Sequence, residues 1–166
     1  MKLRIREMAV FAMLGTLMYV SKIIMEMLPN IHLIGILTVV YTIVYRKKAL
    51  YPIYLYVLLE ILLYGIGTWN MNYLYVWGIL ALVAWLLREM ESPLGWALVS
   101  GVFGLAFGAL CAPVDFLMGD LGYVISKWIS GIPFDVAHCL GNFAMALVLF
   151  APLRKLLGKL YQTLLH

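Results

Sequence analysis

Long apolar runs, separated by short polar or proline-containing breaks, make up most of the chain. The breaks fall at Pro29-Asn30, Arg46-Lys47-Lys48, residues 65–72, residues 88–93, residues 113–133 and from Arg154 onward. Six runs lie between them, at residues 8–27, 31–45, 49–65, 73–87, 93–112 and 133–153. No run alternates apolar and polar residues with a period of two, so β-strands are not expected. The pattern predicts six helices, with Pro133 opening the last one and Pro152 ending it.

Composition places these helices in a bilayer. Hydrophobic residues make up 65% of the 166 residues and charged residues 12%, against roughly 45–50% and 25% in soluble domains. A soluble domain of this size buries only about two-thirds of its surface. The composition therefore argues against a soluble enzyme or a nucleic-acid-binding domain. It predicts one all-α integral membrane domain over residues 1–166, a compact bundle of six transmembrane helices.

The basic residues predict the orientation of this bundle. Six crossings would place the segments before helix 1 and after helices 2, 4 and 6 on one face. Ten of the twelve lysines and arginines lie in those segments: Lys2, Arg4, Arg6, Arg46, Lys47, Lys48, Arg88, Arg154, Lys155 and Lys159. The positive-inside rule makes that face cytoplasmic, with both termini on it. The basic pI of about 9.1 then requires no nucleic-acid partner.

Polar residues collect in the opposite half of the bundle. Asp135, His138 and Asn142 are spaced i, i+3, i+7, so they share one face of the last helix over about 10 Å. Unpaired polar groups are costly within a membrane. Either hydrogen bonds to other helices or a bound ligand would satisfy these three side chains, and the residues alone leave both alternatives open.

Glu60 lies in the middle of the third predicted helix and needs a partner or a proton there. Lys22 is the candidate partner, because it lies at a similar depth in helix 1, and contact with a substrate is the alternative. Lys22 also shares a helix face with Glu26, so that a pair at the outer interface is a further interpretation.

Small residues mark two helix surfaces. Gly104, Gly108 and Ala112 form a ridge at four-residue spacing that permits close helix packing. A second patch on helix 1 either seats another subunit or packs inside the bundle; it consists of Ala9, Ala12, Gly15 and Thr16. The chain has no Walker A motif, so it is not expected to hydrolyse ATP, and we expect no catalytic residues, cofactor or resident metal ion.

The entry to the last helix, WISGIPFDVAHCLGNFAMALVLFAPLRKLL, resembles the final helix of the substrate-binding S components of energy-coupling factor (ECF) vitamin transporters. The stretch LPNIHLIGILTVVYTIVYRKKALYPIY is similar to Gram-positive members of that family. The resemblance covers essentially the whole chain. It implies a multi-pass protein of the plasma membrane of a Gram-positive bacterium that captures a vitamin outside the cell. A transmembrane coupling subunit and two ATPase subunits would drive release into the cytoplasm.

The resemblance also implies a site near the outer face, between the first external loop and helices 4 to 6. Carried onto this chain, the candidate substrate-binding residues are Asn30, His32, Trp69, Tyr73, Trp77, Tyr123, Trp128, Asp135, His138 and Asn142. The aromatic members favour a flat vitamin-like heterocycle, and a metal ion does not fit as the ligand. In the family, alanines at four-residue spacing on helix 1 contact the coupling subunit; here that motif is reduced to Ala12 and Thr16, with Gly15 beside them.

Two other classes of protein fit the same composition. A stand-alone, proton-coupled permease would use Glu60 as its proton site. A structural membrane subunit would bind no small molecule tightly. Dependence of uptake on a separate ATPase distinguishes the transporter subunit from the permease.

Overall fold

Helices account for all regular secondary structure in residues 3–28 and 30–165, the part of the chain that the computed structural model describes. The all-α prediction is confirmed. The predicted cytoplasmic charge at Lys2 and the predicted break at Pro29 lie outside the described residues, as do Met1 and His166. The helices are α1 (Ile5–Ile24), α2 (Ile34–Tyr45), α3 (Leu50–Tyr64), α4 (Thr68–Leu86), α5 (Pro93–Leu105), α6 (Phe107–Asp115) and α7 (Leu121–Leu160). A 3-10 turn (Arg46–Ala49) joins α2 to α3, and a π-helical turn (Tyr161–Leu165) follows α7.

Three helical segments in the described residues are long and apolar enough to cross a membrane. They are α1, the continuous stretch Pro93–Asp115 formed by α5 and α6, and the stretch Leu121–Thr163 that contains α7. Helices α2, α3 and α4 have 12, 15 and 19 residues. The chain therefore has the helices of a membrane protein, and six crossings stay a prediction.

Helix α2 lies at the centre of the bundle. Eleven of its twelve residues are buried, and it packs on α1, α4 and α7. A helix that is apolar on all sides suits such a position, because every face meets another helix. The outer helices expose large apolar side chains, among them Met13, Leu62, Val102 and Val148. An apolar outer surface of this extent fits contact with lipid.

The glycine ridge packs α5 closely against α7. A Cβ atom added to Gly104 would lie 2.7 Å from the carbonyl oxygen of His138, so no larger residue fits without moving α7. Gly101 lies against Cys139 and Phe143 in the same interface. The ridge thus brings the backbone of α7 next to α5, as small residues do in membrane bundles.

The predicted loop over residues 113–133 is wrong for most of its length. Helix α7 already begins at Leu121, because the side chain of Asp120 caps it by accepting a hydrogen bond of 2.9 Å from the backbone N–H of Tyr123. Pro133 and Pro152 therefore lie inside α7 and neither begins nor ends it. Packed neighbouring helices make proline tolerable within a membrane helix.

The basic segments after α2, after α4 and at the end of α7 meet at one end of the bundle. Arg46, Arg88 and Arg154 line one shared depression there, which we call the basic end. Trp69 lies at the opposite end of α4 from Arg88. That opposite end contains a large cavity, described next, and we call it the cavity end.

Candidate ligand-binding site

A cavity of about 520 Å³ opens at the cavity end, between the start of α4, helix α6 and residues 127–138 of α7. Its size falls within the range of small-molecule sites, about 300–1,000 Å³. Aromatic rings and a few polar groups line it: Asn30, Thr68, Trp69, Asn72, Phe107, Gly108, Cys111, Asp115, Lys127, Trp128, Ser130, Gly131, Phe134, Asp135 and His138.

Five of the ten predicted substrate-binding residues line this cavity: Asn30, Trp69, Trp128, Asp135 and His138. They come from three separate parts of the chain, the loop before α2, the start of α4 and the first half of α7. The fold therefore brings together half of the predicted set around one cavity.

The carboxylate of Asp135 is buried in the cavity wall and is held in place by a backbone hydrogen bond. The side chain is 6% exposed, and its Oδ1 accepts a hydrogen bond of 3.0 Å from the backbone N–H of Gly108. Its Oδ2 has no hydrogen-bond partner among the described residues. A Cβ at Gly108 would collide with this carboxylate and lie 3.1 Å from Cδ1 of Trp128, so a larger residue there would displace the Asp135 side chain.

His138 lines the cavity next to Asp135, and His32 packs against His138 without lining the cavity itself. The ring centroid of His138 lies 4.7 Å from that of Phe107 and 4.9 Å from that of His32. Nε2 of His138 and Nδ1 of His32 are buried without a partner among the described residues. Such atoms need a ligand or an ordered water to satisfy them.

Trp77 and Asn142 lie deeper than the cavity. Trp77 is fully buried, with its ring centroid 5.9 Å from that of His32, and so supports the wall from behind. Asn142 is 2% exposed and lies against Gly35 of α2, whose Cβ position is 3.2 Å from Oδ1 of Asn142. The predicted polar face of the last helix therefore divides: its first two residues line the cavity and Asn142 faces α2.

A second, smaller cavity of about 370 Å³ adjoins the first, and Tyr73 lines it. Asn30 and Trp69 line both cavities. The second cavity also contains the ion pair between the Lys22 ammonium and the Glu60 carboxylate, which confirms the predicted partner of Glu60. Within residues 3–28 and 30–165, Lys22 forms no ion pair with Glu26.

Tyr123 lies outside both cavities. Its side chain is exposed at the first turn of α7, with the Lys127 ammonium 5.8 Å from its ring centroid. Lys127 itself pairs with Asp115 across the rim of the larger cavity. Tyr123 thus contacts the rim pair, and the fold does not bring it to the cavity wall.

The sequence prediction missed the contribution of α6. Phe107, Gly108 and Cys111 line the cavity from this helix, yet they belong to an apolar run that reads as packing surface. The one signal in the sequence is Gly108 in the small-residue ridge, and that ridge by itself indicates helix packing. Asn72 was also left out; its buried Oδ1 accepts a hydrogen bond of 2.9 Å from the hydroxyl of Tyr75.

Three of the four residues in the predicted docking patch on α1 are exposed, and the fourth is buried. Ala9, Ala12 and Thr16 are exposed along the outer face of α1. Gly15 is buried against α3, where a Cβ would lie 2.9 Å from the carbonyl oxygen of Pro52. Gly15 is therefore a packing residue between α1 and α3, and the exposed patch consists of the other three.

No family model matches the chain, and neither the curated proteins nor the solved structures compared with it gave a match. In the part of the chain that the structure describes, no three His, Cys, Asp or Glu side chains are grouped as a metal site.

Proposed function

We propose that the chain is the substrate-binding S component of an ECF-type importer, which captures a vitamin or vitamin-like heterocycle outside the cell. The observation that carries this proposal is the aromatic cavity at the cavity end, where buried Asp135 and His138 each have a polar atom with no partner in the described part of the chain. Such convergence of a few polar groups in an apolar pocket is typical of small-molecule sites.

The proposal includes six crossings, with the basic end in the cytoplasm and both termini there. Helix α4 supports this topology, since its 19 residues rise about 28 Å, close to the hydrocarbon thickness of about 30 Å. Helix α2 is shorter, but it is buried among other helices and need not match the lipid by itself. Arginines that meet at one end of the bundle fit the positive-inside rule.

Energy for release would come from partner proteins. Their proposed contact is the exposed face of α1, where Ala9, Ala12 and Thr16 leave room for another helix to approach. A transmembrane coupling subunit and two ATPase subunits would complete the transporter. The plasma membrane of a Gram-positive bacterium is the corresponding location.

The proton-coupled permease is the second candidate, with Glu60 as its proton site. The Glu60 carboxylate is 2% exposed and its Oε1 has no partner among the described residues, which is the observation in favour. Against it, Oε2 already pairs with Lys22, as a structural carboxylate would.

Transport assays separate these two functions. Molecules that co-purify with the protein from cells are first identified by mass spectrometry and then supplied, radiolabelled, to proteoliposomes. We expect no uptake by the chain alone under a proton gradient, and ATP-dependent uptake once a coupling subunit and its ATPases are added. Uptake by the chain alone would replace the S-component proposal with the permease.

A further inference from the structure

The three acidic side chains that line the two cavities differ in how their charge is balanced. Asp115 pairs with Lys127, and Glu60 pairs with Lys22. Asp135 has no lysine, arginine or histidine at ion-pair distance within residues 3–28 and 30–165. Lys127 lines the same cavity, but its ammonium is engaged by Asp115.

The carboxylate of Asp135 is held in a fixed position by the chain itself. Gly108 donates its N–H to Oδ1 and leaves space for the carboxylate because it has no side chain. Oδ2 has no hydrogen-bond partner within residues 3–28 and 30–165, and the wall around it is largely apolar. A buried carboxylate without a cation is costly, so the site gains most from a ligand that supplies positive charge and N–H donors.

The rest of the cavity suits a flat cation. Trp69, Trp128, Phe107 and Phe134 supply aromatic faces and edges around it, and aromatic faces attract cations as well as stacked rings. His138 lies one helical turn from Asp135, and its unpartnered Nε2 offers a second polar contact.

We infer that this cavity selects a positively charged nitrogen heterocycle, an aromatic ring bearing an ammonium or a comparable cationic N–H group, which binds Oδ2 of Asp135. The inference rests on the proposed function of the cavity as the substrate site, and it narrows the substrate class. Vitamins that present a carboxylate to this wall are selected against, because two carboxylates would repel each other in a site of low dielectric.

A charge series on one ring tests the selection in the wild-type protein. 3-(Aminomethyl)pyridine, nicotinamide and nicotinate carry a cationic, a neutral and an anionic group at the same ring position. Each is titrated at pH 7 against detergent-purified protein freed of bound molecules, with tryptophan fluorescence as the readout. We expect the cation to bind at least tenfold more tightly than the anion, and more tightly than the amide. The reason is that a hydrogen bond to a charged group raises affinity by roughly 10- to 150-fold.

Asp135→Asn removes the charge and keeps the shape. In this variant we expect affinity for the cation to fall to that for nicotinamide. Asp120→Asn is the matched control, since Asp120 is an exposed carboxylate at the same end that lines neither cavity, and asparagine still caps α7. The control should keep the full preference for the cation.

The outcomes of these titrations test the charge selection separately from the proposed function of the cavity as a substrate site. Equal binding of the three pyridines, tighter binding of nicotinate, or an unchanged preference in Asp135→Asn would overturn the charge selection and leave a substrate site standing. If none of the three binds, the charge of the co-purifying molecule decides: a cationic ring supports the inference, and a neutral molecule or an anion overturns it. If no molecule binds or co-purifies, the proposed function falls as well.

Discussion

The imidazole rings of His32 and His138 meet edge to face, with centroids 4.9 Å apart and an interplanar angle of 76°. One ring belongs to the segment before α2 and the other to α7, so the contact joins the first loop to the cavity wall. Each ring retains a buried nitrogen that has no partner in the described part of the chain. His138, which lines the cavity, is therefore positioned to bind a ligand group, and the buried nitrogen of His32 behind it is a place for an ordered water.

We expect His138→Ala to weaken ligand binding by about 1–2 kcal/mol, because it removes a hydrogen-bonding group from the cavity wall. Asn142→Ala is the control on the same helix, and we expect its Kd to stay within about twofold of wild type, since Asn142 faces α2. Fluorescence titration of the co-purified molecule measures both. A larger loss in Asn142→Ala than in His138→Ala would place the ligand deeper than the cavity.

Trp128→Ala should weaken binding by about 1–3 kcal/mol, or roughly 5- to 150-fold, the range for one aromatic ring stacked on a flat ligand. Trp85→Ala is the matched control, because Trp85 lies near the basic end with the Arg88 guanidinium 5.0 Å from its ring centroid. Isothermal titration calorimetry of the two variants provides the comparison. Equal affinity in both would remove Trp128 from the site.

Lys22→Met should lower the Tm of the detergent-purified protein more than Glu60→Gln does. The first change leaves the buried Glu60 carboxylate unpaired, whereas the second leaves a lysine that is 29% exposed and can reach water. Loss of one partner of a buried pair costs on the order of 3 kcal/mol. The double variant should recover much of the loss, and thermal unfolding followed by circular dichroism tests the order. The reverse order would show that the pair does not hold α1 against α3.

Ala12→Trp should block ATP-driven uptake and spare ligand binding, because Ala12 lies on the exposed face of α1. Gly15→Trp should instead destabilise the protein, since its side chain would collide with Pro52 and Leu55. Val102→Trp, on the exposed face of α5, is the control that should affect neither. Uptake and binding assays on the reconstituted transporter separate the three. Normal uptake by Ala12→Trp would move the docking surface off α1.

Cysteine labelling tests the orientation. In intact cells, an impermeant thiol reagent should modify Ile66→Cys in the exposed loop after α3 and leave Lys47→Cys unmodified. Both positions are solvent-exposed in the fold, so that accessibility depends on the side of the membrane. Wild-type protein gives the background from Cys111 and Cys139. Labelling of Lys47→Cys would contradict a cytoplasmic basic end.

The helical segments were predictable because apolar runs and their breaks depend on local sequence. Five of the six runs correspond to helices whose ends shift by a few residues, apart from the interruption of the fifth at Ala106. The start of α7 is not evident from the sequence, because the residue that caps it, Asp120, is also typical of a loop. Helix caps and loops use the same residue types, so composition alone favours a loop where the structure has a helix cap.

The candidate site was predictable only where polar residues interrupt apolar runs. Asp135 and His138 stood out for that reason, and so did Trp69 and Trp128 among the aromatics. The exclusion of Asn142 depends on the rotation of α7 against α2, which helical spacing does not determine. The inclusion of Phe107 and Gly108 depends on how α6 packs against α4 and α7, and such long-range packing leaves no local pattern.

Helix α7 has 40 residues, which corresponds to a rod about 60 Å long. Even if this rod leaned by 40°, the upper end of common tilts, it would span about 46 Å along the membrane normal, well beyond the 30 Å of hydrocarbon. If α7 crosses the membrane, as we propose, one or both of its ends therefore project among the lipid headgroups or into water. If the extra length of α7 lies at the cavity end, the opening of the cavity lies outside the hydrocarbon core of the bilayer. A water-soluble cation would then enter the cavity directly from solution.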